Sequence, residues 1–301
     1  MASDRRQFMA IMGAALLVPA AGRVRAQALG DKTVRTVSDG NLVLPVSFIL
    51  PDMPAAEREA LFAEHGLPTD RFEPECNLTL VEDGDRTVLF DAGAGPNFMP
   101  SAGKLGETLA EAGIEPETIT DVVFTHAHPD HLWGIIDDFD EIAFPEARLH
   151  MGRAEWDFWH ASDVLDKVGE ARQAFAVGAR NRMAVMEDRV QLFEAGTEVL
   201  PGIEAVATFG HTPGHMSFAV HGGGDYLMVI GDALTNHALS FAKPGWHYGN
   251  DQDPETAAKT RPALLDRLAG DRAEIVGFHL PDGGRGRVER DGVAYRFARD
   301  G

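Results

Sequence analysis

Between Phe124 and His131 the chain reads Phe-Thr-His-Ala-His-Pro-Asp-His, setting three histidines and one aspartate within six residues. In an irregular loop, side chains this close can turn toward one volume. Imidazole nitrogen together with carboxylate oxygen suits zinc and related divalent ions. A lone loop histidine is ordinarily a surface or hydrogen-bonded residue, but the density of this cluster argues for ligation. Cys76 is the only cysteine, so no intrachain disulfide forms and no thiolate cluster is available. Any metal here must take nitrogen and oxygen ligands.

The elements that would carry such a loop are legible in outline. Short β-branched or apolar runs predict strands at 41–50, 78–81, 87–90, 121–125, 147–150, 203–209, 216–220, 226–230 and 275–278. Helical stretches fall at 55–65, 104–112, 154–159, 168–186 and 255–268. The class is therefore mixed α/β. Polar residues follow several strands directly: Asp91, the cluster His126 to His131, His211 to His215, Asp232 and His279. Residues at the carboxyl ends of neighbouring strands tend to share one rim of a mixed sheet, so these distant positions are expected to meet in one pocket. No dinucleotide fingerprint, phosphate-cradling Gly-Lys-Ser/Thr loop or serine elbow is present.

The chain has 301 residues, 44% of them hydrophobic and spread along its length, enough for one sizeable core. Its amino terminus reads differently. Arg5 and Arg6 precede an apolar stretch from Phe8 to Ala21 and an Ala-rich end, which fits a twin-arginine-type export signal over residues 1–28, cut near Ala26 or Ala28. Residues 29–301 then form a single domain, periplasmic or secreted. The formal charge is −20, and losing residues 1–26 removes a net +3 to leave about −23. A surface this acidic repels phosphate backbones, so nucleic acid is not an expected partner, and a small neutral or weakly charged molecule is. The body carries no long apolar run of membrane-spanning length, and a homodimer is compatible with the sequence without being indicated by it.

The loop His126-Ala-His128-Pro-Asp130-His131 resembles that of the metallo-β-lactamase-fold superfamily, in which His-Xaa-His-Xaa-Asp-His is followed by separate His, Asp and His ligands. Gly210-His-Thr-Pro-Gly-His215 and Ile230-Gly-Asp232 are similar to the later ligand loops, and Leu89-Phe-Asp-Ala-Gly93 to an early Asp-Xaa-Gly motif. The resemblance implies an αββα four-layer sandwich with two divalent transition-metal ions, zinc first among them. It implies that His126, His128 and His215 hold one ion, that Asp130, His131 and His279 hold the other, and that Asp232 bridges them. Asp91 would support the ligands from behind, and His211 reads as structural. Side motifs, among them Ser38-Asp-Gly40, Ala143-Phe-Pro145, Asp157-Phe-Trp159 and Val199-Leu-Pro-Gly-Ile203, carry the likeness furthest toward exported methyl parathion hydrolase-like proteins.

What this implies is hydrolysis of small neutral esters (lactones, aryl esters or aryl phosphotriesters) by a hydroxide generated between two metals, with Asp130 passing a proton to the leaving group. An iron-dependent oxidoreductase of the same fold and a β-lactam hydrolase are the alternatives. Lactonases of this fold commonly place a tyrosine shortly after the bridging aspartate, whereas here Asp232 is followed by Ala233-Leu-Thr235. Trp159 and Trp246 are the aromatic candidates for a substrate pocket.

Overall fold

The computed structural model of the chain describes residues 26–137 and 139–299. The expected export signal lies outside the described residues up to position 25, and Ala26 to Ala28 belong to the first strand. Two seven-stranded sheets stack face to face. In spatial order the first runs Ala26–Leu29, Lys32–Asn41, Glu75–Asp83, Arg86–Phe90, Asp121–Phe124, Arg148–Gly152, Val190–Phe193. The second runs Glu198–Leu200, Ile203–Ala207, Met216–Gly222, Asp225–Gly231, Glu274–Gly277, Arg285–Asp291, Ala294–Arg299.

Strand periodicity explains the layering. In Asp121–Phe124 every residue is buried, because alternate side chains face two different cores. Val123 points between the sheets, where it joins Val34, Val88 and Phe90 against Phe218, Val229 and Val276 of the other sheet. Val122 and Phe124 point outward under helices, into a core shared with Leu109, Trp159, Ala176 and Met183. The second sheet does the same, with Met228, Ile230 and Ile275 turned toward Leu264, Leu265 and Leu268 of the helix Pro254–Asp271. Three stacked cores need four layers, and the expected αββα sandwich is what the chain forms. Burial of each large apolar side chain supplies about 1.5–3 kcal/mol. The Phe90–Phe218 contact across the sheets, with ring centroids 5.3 Å apart, adds a smaller aromatic contribution.

Strand direction sets where the site lies. Arg86–Phe90, Asp121–Phe124 and Arg148–Gly152 are parallel neighbours, so Asp91, the His126 loop and the helix Arg153–His160 leave the sheet at one rim. Asp225–Gly231 and Glu274–Gly277 are also parallel, which brings Asp232 and His279 out together.

Two expectations are corrected. Residues 41–50 are not one strand: Leu44–Pro45 pairs briefly with Arg71–Phe72, and Val46–Ile49 is a helical turn. Pro45 has no N–H for a ladder and precedes that turn, whose Val46 and Ile49 pack with Leu61, Phe62 and Phe72 in an apolar cluster beside the rim. The helix expected over 168–186 is interrupted at Gly169 (φ 72°), leaving Val164–Val168 and Gln173–Met186 joined by a short 3₁₀ turn. Among the described residues, no helix is long and apolar enough to cross a membrane.

Candidate metal centre

Pro129 opens the single helical turn Pro129–Leu132, with His128 extended just before it. This geometry sends the histidines ahead of the turn and the residues on it toward one side of the rim. His126 Nε2 lies 3.0 Å from His128 Nδ1, which lies 2.9 Å from His211 Nε2. These three nitrogens form the first group. The second gathers Asp130, His131, Asp232 and His279. His131 Nε2 is 3.4 Å from Asp130 Oδ2 and 3.2 Å from Asp232 Oδ1, while His279 Nε2 is 3.2 Å from Asp130 Oδ2 and 3.3 Å from Asp232 Oδ2. Asp232 stands between the groups, its Oδ2 also 3.2 Å from His211 Nε2.

The structure thus brings together six of the seven residues expected to ligate, and replaces the seventh. His215 has both nitrogens engaged: Nδ1 lies 2.8 Å from Thr208 Oγ1, and Nε2 accepts the backbone N–H of Asp232 at 2.9 Å. It supports the loop carrying Asp232 and offers no free lone pair to an ion. His211, expected to be structural, takes the open place. Both histidines follow one strand, and their spacing alone does not say which turns inward. Asp251 lies 3.3 Å from His211 Nδ1, which leaves Nε2 to face the site.

The other ligand nitrogens are aimed in the same way. Asp91, at a positive φ of 67°, accepts from Thr125 N and lies 2.8 Å from His131 Nδ1. This is the supporting place the sequence implied. His279 Nδ1 donates to Glu75 O at 2.7 Å, again freeing Nε2. Glu155, not singled out in the sequence, is a buried carboxylate accepting from Ala127 N, Gly214 N, Thr212 Oγ1 and the Trp159 indole N–H. It ties the loop of His126 and His128 to the loop of His211 and His215.

Burial, reinforced by neighbouring imidazoles, holds His126 and His128 well below the usual histidine range, so both are neutral with lone pairs to give. Burial also presses down on His131 and His279, but Asp232 and Asp130 outweigh it and raise both well above that range. Asp130 Oδ2, His131 Nε2 and Asp232 Oδ1 are buried and make no hydrogen bond, although they face one another. Unpaired buried polar atoms are costly in a folded protein. Two divalent cations would satisfy them, and the all-nitrogen-and-oxygen donor set fits such ions.

His128 and His211 of the first group and Asp130, Asp232 and His279 of the second line an open cavity. Its walls are Leu42, Leu44, Phe48, Phe72, Phe98 and Phe175, with Arg172, Thr235, Asn236 and Asn250 as the polar exceptions. Trp159 and Trp246 do not line it. Trp159 is fully buried in the helical core beneath His128, with its indole N–H bound to Glu155. Trp246 packs on the apolar cluster beside the rim, and its carbonyl accepts from Arg261.

Comparison with known proteins agrees with this geometry. Residues 72–279 match the family model of the metallo-beta-lactamase superfamily. A probable metallo-hydrolase of Mycobacterium tuberculosis is 28% identical over 192 residues, which is 53% of this chain and 56% of that protein, little more than half its length. A metallo-beta-lactamase domain-containing protein of Xenopus laevis is 29% identical over 65% of this chain and 68% of its own. Among solved structures, the dizinc quorum-quenching lactonase AidC superposes with a TM-score of 0.86 at 23% identity, covering 92% of this chain and 97% of that one. The hydrolase AbOPH gives 0.85 at 26% identity with the same coverage. With the two ligand groups at the rim of a four-layer sandwich and the family match running from the first sheet through His279, the chain belongs to the metallo-β-lactamase superfamily.

Proposed function

We propose that this chain is a binuclear metal-dependent hydrolase of small neutral esters, namely lactones, aryl esters or aryl phosphotriesters. The observation that carries the reading is the seating of a three-imidazole group beside a group of two carboxylates and two imidazoles, with Asp232 reaching His211 of the first, at an apolar cavity. His126, His128 and His211 would hold one ion and Asp130, His131 and His279 the other, with Asp232 between them. Ions held there would supply Lewis acidity for activating water and offsetting charge on the ester oxygen.

The chain's own residues do the remainder. Phe48, Phe72, Phe98 and Phe175 bind an apolar acyl or aryl group and exclude water. Asp130 faces the cavity and is placed to carry a proton to the leaving group. Lactones and activated esters need less of that help than amides, because their leaving groups are stabler anions. Similar proteins point the same way: besides AidC, an N-acyl homoserine lactonase from Bacillus is 25% identical over 140 residues. The side motifs that resemble those of methyl parathion hydrolase-like proteins keep phosphotriesters in the same proposal.

The test is steady-state kinetics on an aryl ester, a lactone, an aryl phosphotriester, a β-lactam and an RNA, alongside elemental analysis of the same preparation. We expect two metal equivalents per chain and the highest kcat/KM on one of the first three. A preference for β-lactam or RNA, or full activity with one equivalent, would overturn the assignment.

A further inference from the structure

One loop, far from the histidine cluster in sequence, touches two of the three histidines of the first group, His128 and His211. Asp251 Oδ1 lies 3.3 Å from His211 Nδ1, and its Oδ2 accepts from Arg261 at 2.6 Å. Arg261 is itself buried and donates to Pro244 O, so the carboxylate is gripped from behind. The next residue, Gln252, places its side-chain amide 3.0 Å from His128 Nε2. The backbone joins in as well: Gln252 N donates to His211 O and Asp253 N to Gly210 O, each at 2.9 Å. Asp253 then caps the helix Pro254–Asp271 through Thr256 N, which fixes the far end of the loop. Its near end is held by Arg172, a cavity-wall residue that donates to Gly249 O at 2.5 Å.

The tautomers required of a metal site match these contacts. His128 faces the group with Nδ1, so its Nε2 must carry the proton and needs an acceptor. Gln252 Oε1 is buried with no partner, and a half-turn of the amide places that oxygen on the His128 N–H. His211 faces the group with Nε2, so its Nδ1 carries the proton and Asp251 accepts it. We propose that the loop 249–253 is the positioning element of the first metal: Asp251, anchored by Arg261, sets His211, and Gln252 sets His128. This rests on the reading that His126, His128 and His211 share an ion.

The experiment compares the wild type with Asp251→Ala, Gln252→Leu and Gln252→Glu, each titrated with zinc against a chromophoric chelator and each reloaded with cobalt for its visible spectrum. Asp251→Ala and Gln252→Leu should each weaken one of the two stepwise affinities about 10- to 100-fold, leave the other within about threefold, and shift only part of the cobalt spectrum. Gln252→Glu, which keeps an acceptor, should retain near-wild-type affinity. Parallel weakening of both equivalents, or no change in either, would overturn the loop's role while leaving the hydrolase reading intact. A wild type that takes up no divalent ion would sink both. Should Asp251→Ala not fold, because Arg261 loses its buried partner, the partly exposed Gln252 variants decide alone.

Discussion

Four positions separate His211 from His215, yet one nitrogen of His211 faces the metal groups while both nitrogens of His215 are committed to Thr208 and the Asp232 backbone. Their replacement should therefore separate. His211→Ala should lose one metal equivalent and drop kcat/KM by more than about 100-fold, beyond the range expected of a supporting residue. His215→Ala should keep both equivalents with affinity weakened about 10- to 100-fold, since it disturbs the Asp232 loop only indirectly. Metal content of the two variants decides, and one equivalent lost from His215→Ala with two retained by His211→Ala would reverse the roles. The dense loop from His126 to His131 was legible because its spacing has few other uses. The choice between His211 and His215 was not, because it depends on Asp251, 40 residues further on, and a single sequence shows no side-chain partner. Trp159 and Trp246 misled for a similar reason: an aromatic side chain in a helix or loop does not reveal which of its faces is covered.

Among the elements, the loops are joined as tightly as the sheets. A Cβ on Gly214 would sit 2.1 Å from the backbone N of Glu155, whose carboxylate clamps the same loop, so Gly214→Ala must push two site-bearing segments apart. It should cost about 1–3 kcal/mol. Gly270, inside the helix Pro254–Asp271, meets nothing within 4 Å, and Gly270→Ala should stabilise by about 0.5–1 kcal/mol through the entropy of the unfolded chain. Thermal unfolding of the pair checks both signs, and equal shifts would show that the close approach at Gly214 is not what matters. The central strands were readable because both their faces are covered and the apolar run is continuous. The hairpin Arg285–Asp291 with Ala294–Arg299 was not, since one face is charged and only Val288, Tyr295 and a few others are buried. At Val46–Ile49, propensity for strand yielded to packing against the apolar cluster.

Across the whole molecule, a formal charge of −20 and the buried carboxylates of Asp130 and Asp232 act in the same direction. The field of the surface raises the local concentration of cations, and the site supplies the contacts that hold them. Asp130 and Asp232 lie against each other through His131 and His279, so emptying the site leaves like charges together with only imidazolium protons between them. Binding of the ions is then also stabilisation of the fold, because the unfolded chain does not preserve the arrangement. With free metal about 100-fold above its dissociation constant, each occupied site should contribute about 2.7 kcal/mol. Chelation should therefore lower Tm by several degrees, zinc added back should restore it, and the apparent affinity should fall as sodium chloride screens the surface field. Melting curves with and without chelator at low and high salt measure all three effects. An unchanged Tm on complete metal removal would mean that the Asp130 and Asp232 carboxylates are already satisfied by the histidines around them, and the binuclear reading would fail with it.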